Sequence, residues 1–271
     1  ARNMNAKTPS ASARLVVARP ADEKVLTAFS WHCAADVVES TGVVVRCTPA
    51  RRVWFLPFGH SLGRTLDPGG EGRHGVFVKR WDGRNALRGA LGEWEGLAQL
   101  DRLGLRCASR VCLASSKGSA VVVTQGLSGR PLDVIWAEGC EGRGLSGLEA
   151  VTARVGAAVR RLHDSGFVYR DLYWQHLFAS DQPERRSADL GEPAFLDAER
   201  LLRLPWWWSR ERACARDLSG LISSLPRSVG DDEPSRKRVL SWLERGYGPI
   251  PRRDWIFRKA EAIAGRQPRF G

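Results

Sequence analysis

Two aspartates in the second half of the chain have a spacing that suits group transfer. Asp171 lies in the segment VYRDLYWQHLFA, and Asp197 follows an apolar pair in FLDAERL, 26 residues later. One carboxylate can take the proton of an attacking hydroxyl group, and the other can bind a divalent cation. A hairpin between them would bring the second carboxylate beside the first. The pair is therefore suited to group transfer, with one carboxylate as a base and the other as a Mg²⁺ ligand.

A lysine on a predicted strand supplies a cation for the nucleotide phosphates. Lys79 lies in GVFVKRW, and an acid on the following helix, Glu93 or Glu95, can hold it by an ion pair. Alone, a strand lysine is usually an exposed side chain and a helix glutamate is usually solvated. Together with the two aspartates, these residues favour ATP binding.

The residues around Asp171 follow the protein-kinase catalytic motif, in which H-R-D-L precedes an asparagine five residues after the aspartate. Tyr169 replaces the histidine, Tyr173 replaces the lysine two residues beyond the base, and His176 replaces the asparagine. An imidazole at this position can bind the metal, contact a phosphate, orient the metal-binding aspartate or simply pack in the core. Gln175 competes with it, because its amide oxygen is a ligand that Mg²⁺ prefers.

The D-x-Y-x-x-H spacing resembles the lipopolysaccharide core kinases, the Kdo kinase and WaaP heptose kinase family, whose motif reads H-R-D-x-Y-x-x-H. Three further segments are similar. GEWEGLAQLDRLGL resembles the family's E-W-x-x-L-x-x-L helix, FLDAERLLR its I-D-L-H-R segment, and RDLSGLISS its K-D-L-x-x-L-x-x-S helix. The matches run from about Lys79 to Ser224.

This resemblance implies a protein-kinase-like fold and ATP-dependent phosphorylation of a sugar hydroxyl on a lipid-linked glycan, the lipopolysaccharide inner core, where Kdo or heptose is the acceptor. It favours Glu93 over Glu95, because Glu93 directly precedes the tryptophan. The roles it implies are the base, Asp171; the nucleotide-binding residues Lys79, Glu93, Gln125 and Leu127; and the Mg²⁺ ligands Asp197 and His176. Asp217 is expected to bind the backbone of the catalytic segment. Residues 59 to 75 are glycine-rich without a G-x-G-x-x-G pattern, so we assign no phosphate contact there.

The elements that must position these residues change in character along the chain. Residues 1 to 22 are small, polar and basic, and we interpret them as a poorly ordered leader. Residues 23 to 128 contain short β-branched runs, at 42 to 47, 51 to 57, 75 to 81, 110 to 114 and 119 to 125, and one amphipathic helix at 84 to 104. Residues 129 to 271 contain helical patterns at 146 to 166, 212 to 225, 234 to 246 and 253 to 264. The predicted fold is α+β and bilobal, with a small antiparallel-sheet N-lobe carrying one helix and a larger, mainly helical C-lobe.

Composition limits the partners and the compartment. The net charge of +12 favours anionic partners, although a GC-rich genome would also give an arginine-rich chain. The six cysteines have no zinc-binding spacing and are interpreted as free thiols in a reducing compartment. No apolar run is long enough to span a membrane, and the N-terminus lacks a signal-peptide core. We therefore expect a cytoplasmic protein, with ATP and Mg²⁺ as cofactors and no nucleic acid partner.

The run PWWWSRER contains Trp206, Trp207 and Trp208, which cannot all point inward from one element. Tryptophan beside arginine suits the interface of an anionic membrane, where a lipid-linked sugar would be presented. Alternatively, the rings fill gaps between helices. Two alternative functions also stay open: a kinase-like phosphotransferase acting on a protein or a soluble small molecule, and a catalytically silent kinase-like scaffold.

Overall fold

The computed structural model of the chain describes residues 13–49, 51–58, 75–127, 129–139, 146–179 and 191–265. Most of the predicted leader and nearly all of the glycine-rich segment therefore lie outside the described residues. The described residues form two compact units, the first from residues up to 58, 75–94 and 109–126, and the second from 95–108 and 127–265. Residues 95–108, which the sequence assigns to the N-lobe, pack with the second unit.

The first unit is built on a six-stranded antiparallel sheet with the strand order β1-β5-β6-β4-β3-β2. Its strands are β1 (Arg14–Val17), β2 (Val43–Cys47), β3 (Arg51–Pro57), β4 (Gly75–Asp82), β5 (Arg110–Ser116) and β6 (Ser119–Gln125). Five of these strands were predicted from their β-branched runs. In β4, Val76 and Val78 are buried on one face, whereas Lys79 and Trp81 alternate onto the other. The period of two thus directs Lys79 away from the buried valines.

Two short helices, α1 (Glu23–Ala28) and α2 (Ala34–Glu39), cover one face of this sheet through Val25, Val37 and Val38. The sequence predicts a single helix in the N-lobe, at 84 to 104. It does not predict α1 and α2, because six-residue helices are too short to show a helical period. The predicted helix is α3 (Ala86–Arg102), and Ala86 and Ala90 of its first turns pack on the other face of the sheet.

The predicted disorder of residues 1 to 22 is wrong for the second half of that range. Arg14–Val17 form the edge strand β1, which pairs antiparallel with β5 from Arg14↔Ser115 to Val17↔Cys112. The polar composition of the whole range hides the short apolar run at residues 15–17, which packs against the first-unit core through Leu15 and Val17.

The second unit is mainly helical. Its helices are the second half of α3, then α4 (Leu132–Glu138), α5 (Ser146–Asp164), α6 (Arg210–Ser223), α7 (Arg227–Gly230), α8 (Glu233–Tyr247) and α9 (Arg253–Ala264). Short strands connect them: β7 (Arg130–Pro131), β8 (Phe167–Val168), β9 (Leu177–Ala179), β10 (Ala194–Phe195) and β11 (Leu202–Arg203). A core of leucine, valine and tryptophan holds them together, with Trp136 in contact with Trp174 and Trp242. The four predicted helices of this half are confirmed.

The described residues contain neither a disulfide bond nor a membrane-spanning helix. None of the five described cysteines forms a disulfide bond: Cys33, Cys47, Cys107, Cys112 and Cys214. Within the same residues, no helix combines the length and the apolar character that crossing a bilayer requires.

Candidate active site

Lys79 and Glu93 form an ion pair in the first unit. The Lys79 Nζ lies 2.8 Å from Oε1 of Glu93, and the glutamate side chain is only 2% exposed. Strand β4 directs the lysine to the face that α3 covers, and the register of α3 turns Glu93 inward while Glu95 is exposed. A buried carboxylate is stable only when it is paired, so this geometry fixes the lysine ammonium group in one place.

The catalytic segment and the Asp197 segment are joined by a small hairpin in the second unit. Strand β9 pairs antiparallel with β10, and the Leu196 N–H donates to the carbonyl of His176 at 2.8 Å. As a result, Oδ2 of Asp197 lies 3.8 Å from Nε2 of His176. The hairpin expected from the spacing of the two aspartates is present.

His176 also contacts the main chain of Asp171. Its Nδ1 lies 2.8 Å from the Asp171 carbonyl oxygen, which can only accept, so Nδ1 carries a proton. In the neutral ring, Nε2 is then an acceptor, which lies 3.4 Å from the side-chain nitrogen of Gln175 and 3.8 Å from Oδ2 of Asp197. Two acceptors that face each other favour a cation between them, and oxygen donors together with one imidazole can bind Mg²⁺ when phosphates and water complete the shell. Among the described residues, no group of three or more His, Cys, Asp or Glu side chains could hold a metal ion.

Asp171 is half-buried and has a charged partner that sequence reasoning missed. Burial raises the pKa of its carboxyl group, and the negative charge of Asp197 acts in the same direction, whereas Arg200 and His176 oppose them. Arg200 donates from Nη1 to Oδ1 of Asp171 at 2.8 Å. The sequence signal for this contact is FLDAER, in which Arg200 follows Asp197 by three residues and matches the arginine of the family's I-D-L-H-R segment.

Asp217 in α6 holds the backbone of the catalytic segment by hydrogen bonds. Its Oδ2 accepts from the Tyr169 N–H at 2.5 Å, and its Oδ1 accepts from the Arg170 N–H at 2.8 Å. The same carboxylate lies 3.1 Å from Nε2 of the buried His163. The expected hydrogen bonds from the catalytic-segment backbone to Asp217 are therefore present, and they fix the peptide just before Asp171.

Two non-glycine residues at this site have left-handed backbones. Arg170 and Asp197 both have φ of 68°, a conformation that is strained for residues with a Cβ and that recurs at functional sites. Tyr169 helps to hold them, because its buried hydroxyl donates to the Leu196 carbonyl at 2.8 Å. The tyrosine that stands in place of the kinase histidine thus joins the two segments, a role that sequence reasoning did not assign.

The predicted adenine-binding segment follows β6. The N–H of Gln125 donates to Ser109 O at 2.8 Å, and the N–H of Gly126 donates to Gly75 O at 3.1 Å. These two donors are therefore already used within the first unit. Leu127 packs against the core of the second unit.

An antiparallel sheet with a lysine–glutamate ion pair, followed by a helical unit whose catalytic segment carries an anchored aspartate, defines a protein-kinase-like phosphotransferase. The model of the lipopolysaccharide kinase (Kdo/WaaP) family matches residues 50–247, and the chain belongs to this family. It is a kinase of the lipopolysaccharide core, with a sugar hydroxyl group as the acceptor. The predicted family, fold class and reaction are confirmed, and a protein or soluble small-molecule acceptor is not favoured.

One solved structure, described as WaaP in complex with acyl carrier protein, has a similar fold. Its TM-score is 0.64 at 21% identity, over 92% of this chain and 99% of that chain. At this identity the similarity supports the fold alone. A comparison with curated protein sequences gives no significant match.

Proposed function

We propose that this kinase transfers the γ-phosphoryl group of ATP, with Mg²⁺, to a hydroxyl group of a Kdo or heptose residue in the inner core. The observation that carries the proposal is the hairpin that joins Asp171, His176 and Asp197. One imidazole bonds the main chain of the first aspartate and faces the carboxylate of the second. This arrangement suits a base beside a metal ligand, and the D-x-Y-x-x-H motif supports the same assignment.

Asp171 is the proposed catalytic base. It accepts the proton of the acceptor hydroxyl group while the sugar oxygen forms a bond to the γ-phosphorus atom and the bond to the β-phosphate oxygen breaks, releasing ADP. The half-buried position of Asp171 supports this role, because burial raises the pKa of its carboxyl group and makes it a better proton acceptor. Asp217 keeps the segment in place through the N–H groups of Tyr169 and Arg170.

The nucleotide is assigned to Lys79, with Glu93 orienting the lysine, and to main-chain groups near Gln125 and Leu127. Asp197 and His176 are the proposed Mg²⁺ ligands, and the phosphates and water would complete the shell. When bound, Mg²⁺ neutralises charge that develops on the transferred group. The Lys79–Glu93 pair supports the assignment. The glutamate side chain is 2% exposed, whereas the lysine side chain is 13% exposed and keeps some accessible surface for a phosphate.

The test is Mg²⁺-dependent phosphate transfer from radiolabelled ATP to lipopolysaccharide core extract, with wild type beside Asp171→Asn. We expect kcat to fall about 10²–10⁴-fold, the usual contribution of a general base, while ATP affinity measured by calorimetry is retained. Asp101→Asn is the matched control, since Asp101 is an exposed aspartate on α3. Turnover that survives in Asp171→Asn would remove this residue from the mechanism, and ATP binding without any transfer would revive the silent scaffold.

We also propose that Trp206, Trp207 and Trp208 contact an anionic membrane surface, at the cytoplasmic face where ATP is available. The three residues are 90%, 67% and 41% exposed, which favours a surface role over the alternative that the rings fill gaps between helices. Exposed tryptophan rings partition into the headgroup region, and the net charge of +12 attracts anionic lipid. A lipid-linked acceptor would then meet the enzyme at the bilayer surface.

A further inference from the structure

Arg200 holds the carboxylate that is assigned as the base. Its Nη1 lies 2.8 Å from Oδ1 of Asp171, and the two side chains are 47% and 24% exposed, so the ion pair is open to a ligand. A hydroxyl group that gives its proton to Asp171 must approach a carboxylate oxygen to about 2.6–3.2 Å. In this structure the guanidinium group takes that place at Oδ1.

The surroundings of this ion pair are rich in guanidinium groups. Burial lowers the pKa of Arg170, and the positive charges of Arg200 and Arg216 lower it further. The Nε of Arg170 is buried and has no hydrogen-bond partner among the described residues. Asp217, the other carboxylate whose charge acts on Arg170, already receives two backbone N–H groups and lies beside His163. A buried guanidinium Nε without a hydrogen-bond partner, under the charges of two further arginines, is suited to an added anion.

We propose that Arg200 is a specificity-determining residue that binds an anionic group of the acceptor sugar, a carboxylate or a phosphate, and that it uncovers Asp171 only when this anion is present. The inference rests on the proposed function, with Asp171 as the base. Arg200 exchanges one anionic partner for another, so that one charge-assisted hydrogen bond exists in each state.

A neutral acceptor offers the guanidinium group no replacement partner. Arg200 then stays on Asp171, and the hydroxyl group competes with it for the base. Discrimination therefore arises from an unfavourable contact with the wrong acceptor as well as from a favourable contact with the right one. The planar guanidinium group fits carboxylate and phosphate groups alike. An experiment must therefore determine which of these two anions Arg200 binds.

The experiment measures kcat and KM for wild type, Arg200→Gln and Arg200→Lys. The acceptor is core oligosaccharide in three forms: intact, enzymatically dephosphorylated, and methyl-esterified at its carboxylates. With intact acceptor we expect Arg200→Gln to raise the acceptor KM about 10–100-fold, as expected when a hydrogen bond to a charged group is lost. Arg200→Lys should restore part of the affinity. Removing the recognised anion should raise the wild-type KM to a similar extent and leave the KM of Arg200→Gln unchanged, because the two changes delete the same interaction.

Arg102→Gln is the charge-matched control, since Arg102 is an exposed arginine of α3 whose Nη1 donates to Gln99. An unchanged acceptor KM in Arg200→Gln overturns the proposal, as does an equal fall in kcat on all three acceptors, which would indicate a structural role. A rise in the KM for ATP instead assigns Arg200 to the nucleotide and also overturns it. If Arg200→Gln does not fold, the same comparison is made with Arg200→Lys. Failure of the proposed function is seen separately, as turnover that survives in Asp171→Asn.

Discussion

The anchoring of the catalytic segment depends on the charge of a single buried histidine. His163 lies between Oδ2 of Asp217 and the Tyr247 hydroxyl, at 3.1 and 2.8 Å. Burial opposes the charged imidazolium form, but hydrogen bonds to Asp217 and Cys214 and the charge of Asp217 raise the pKa to about 9. A protonated His163 therefore balances the carboxylate that holds the backbone just before Asp171.

This balance predicts a loss of stability at alkaline pH. A pKa raised from 6.5 to about 9 on folding means that the contribution of His163 is complete below pH 6.5 and is lost progressively up to about pH 9. We expect the free energy of unfolding in urea to fall by on the order of 3 kcal/mol across this window. His163→Gln should be less stable at pH 6 and nearly independent of pH in the window.

The control for this prediction is His32→Gln, because His32 is exposed. It should keep the slope of the wild type. A His163→Gln variant with the same pH dependence as the wild type would contradict the assignment of charge to His163.

At the scale of elements, helix α3 is closely packed against the Asp197 segment at Gly96. A Cβ atom at Gly96 would collide with the Ala198 carbonyl oxygen and lie 2.9 Å from the Ala198 Cβ. Only glycine permits this approach, and the contact lies next to the strained backbone of Asp197. The position of the proposed metal ligand thus depends on the absence of a side chain in the neighbouring helix.

Gly96→Ala is therefore expected to impair the site although alanine favours helix formation. The added methyl group must displace backbone, and such overpacking costs about 1–3 kcal/mol, more than the roughly 0.5–1 kcal/mol gained from helix propensity. We expect a lower melting temperature and a severalfold higher KM for Mg²⁺-ATP. Gly265→Ala is the control, because its nearest neighbour lies at an ordinary 3.5 Å. Equal behaviour of the two variants would show that the contact is not restrictive.

At the scale of the whole molecule, the exposed tryptophans and the excess of basic residues are two separate grounds for the proposed membrane contact. Trp206 and Trp207 pack edge-on against each other, with ring centroids 5.6 Å apart. Several basic residues near the C-terminus are instead paired with carboxylates, among them Arg236 with Glu261 and Lys237 with Glu233. The aromatic segment is therefore the stronger candidate for the membrane-facing surface.

The membrane proposal predicts that the double variant Trp206→Ser/Trp207→Ser loses vesicle binding. Sedimentation with vesicles of phosphatidylglycerol and phosphatidylethanolamine should show at least a tenfold weaker partition than the wild type, since two aromatic side chains no longer leave water. Wild-type binding should weaken with salt, because lipid charge is screened. Val43→Ser/Val45→Ser, which removes exposed apolar side chains from the edge strand β2, is the control. Unchanged binding of the tryptophan variant would exclude this surface.

The sequence by itself determined the features that short-range patterns encode. β-Branched runs bounded by Gly and Pro specify strands such as Gly75–Asp82, and helical spacing of leucine and tryptophan specifies Ala86–Arg102. The D-x-Y-x-x-H motif and three further segments together indicated the family by resemblance. The hairpin between the catalytic segment and Asp197 also followed from spacing, since nearby segments of limited length have few ways to pair.

The tertiary structure alone decided the contacts between residues that are distant in sequence. Two of these are the edge strand at Arg14–Val17, which pairs with residues about a hundred positions away, and the hydrogen bond from Tyr169 to Leu196. The contact of Arg200 with Asp171 is a third. No local sequence pattern predicts these contacts, because each one depends on how segments that are distant in sequence pack against each other. The sequence thus specified the proposed base and metal ligands, and the packing of helices and strands determined that Arg200 contacts Asp171.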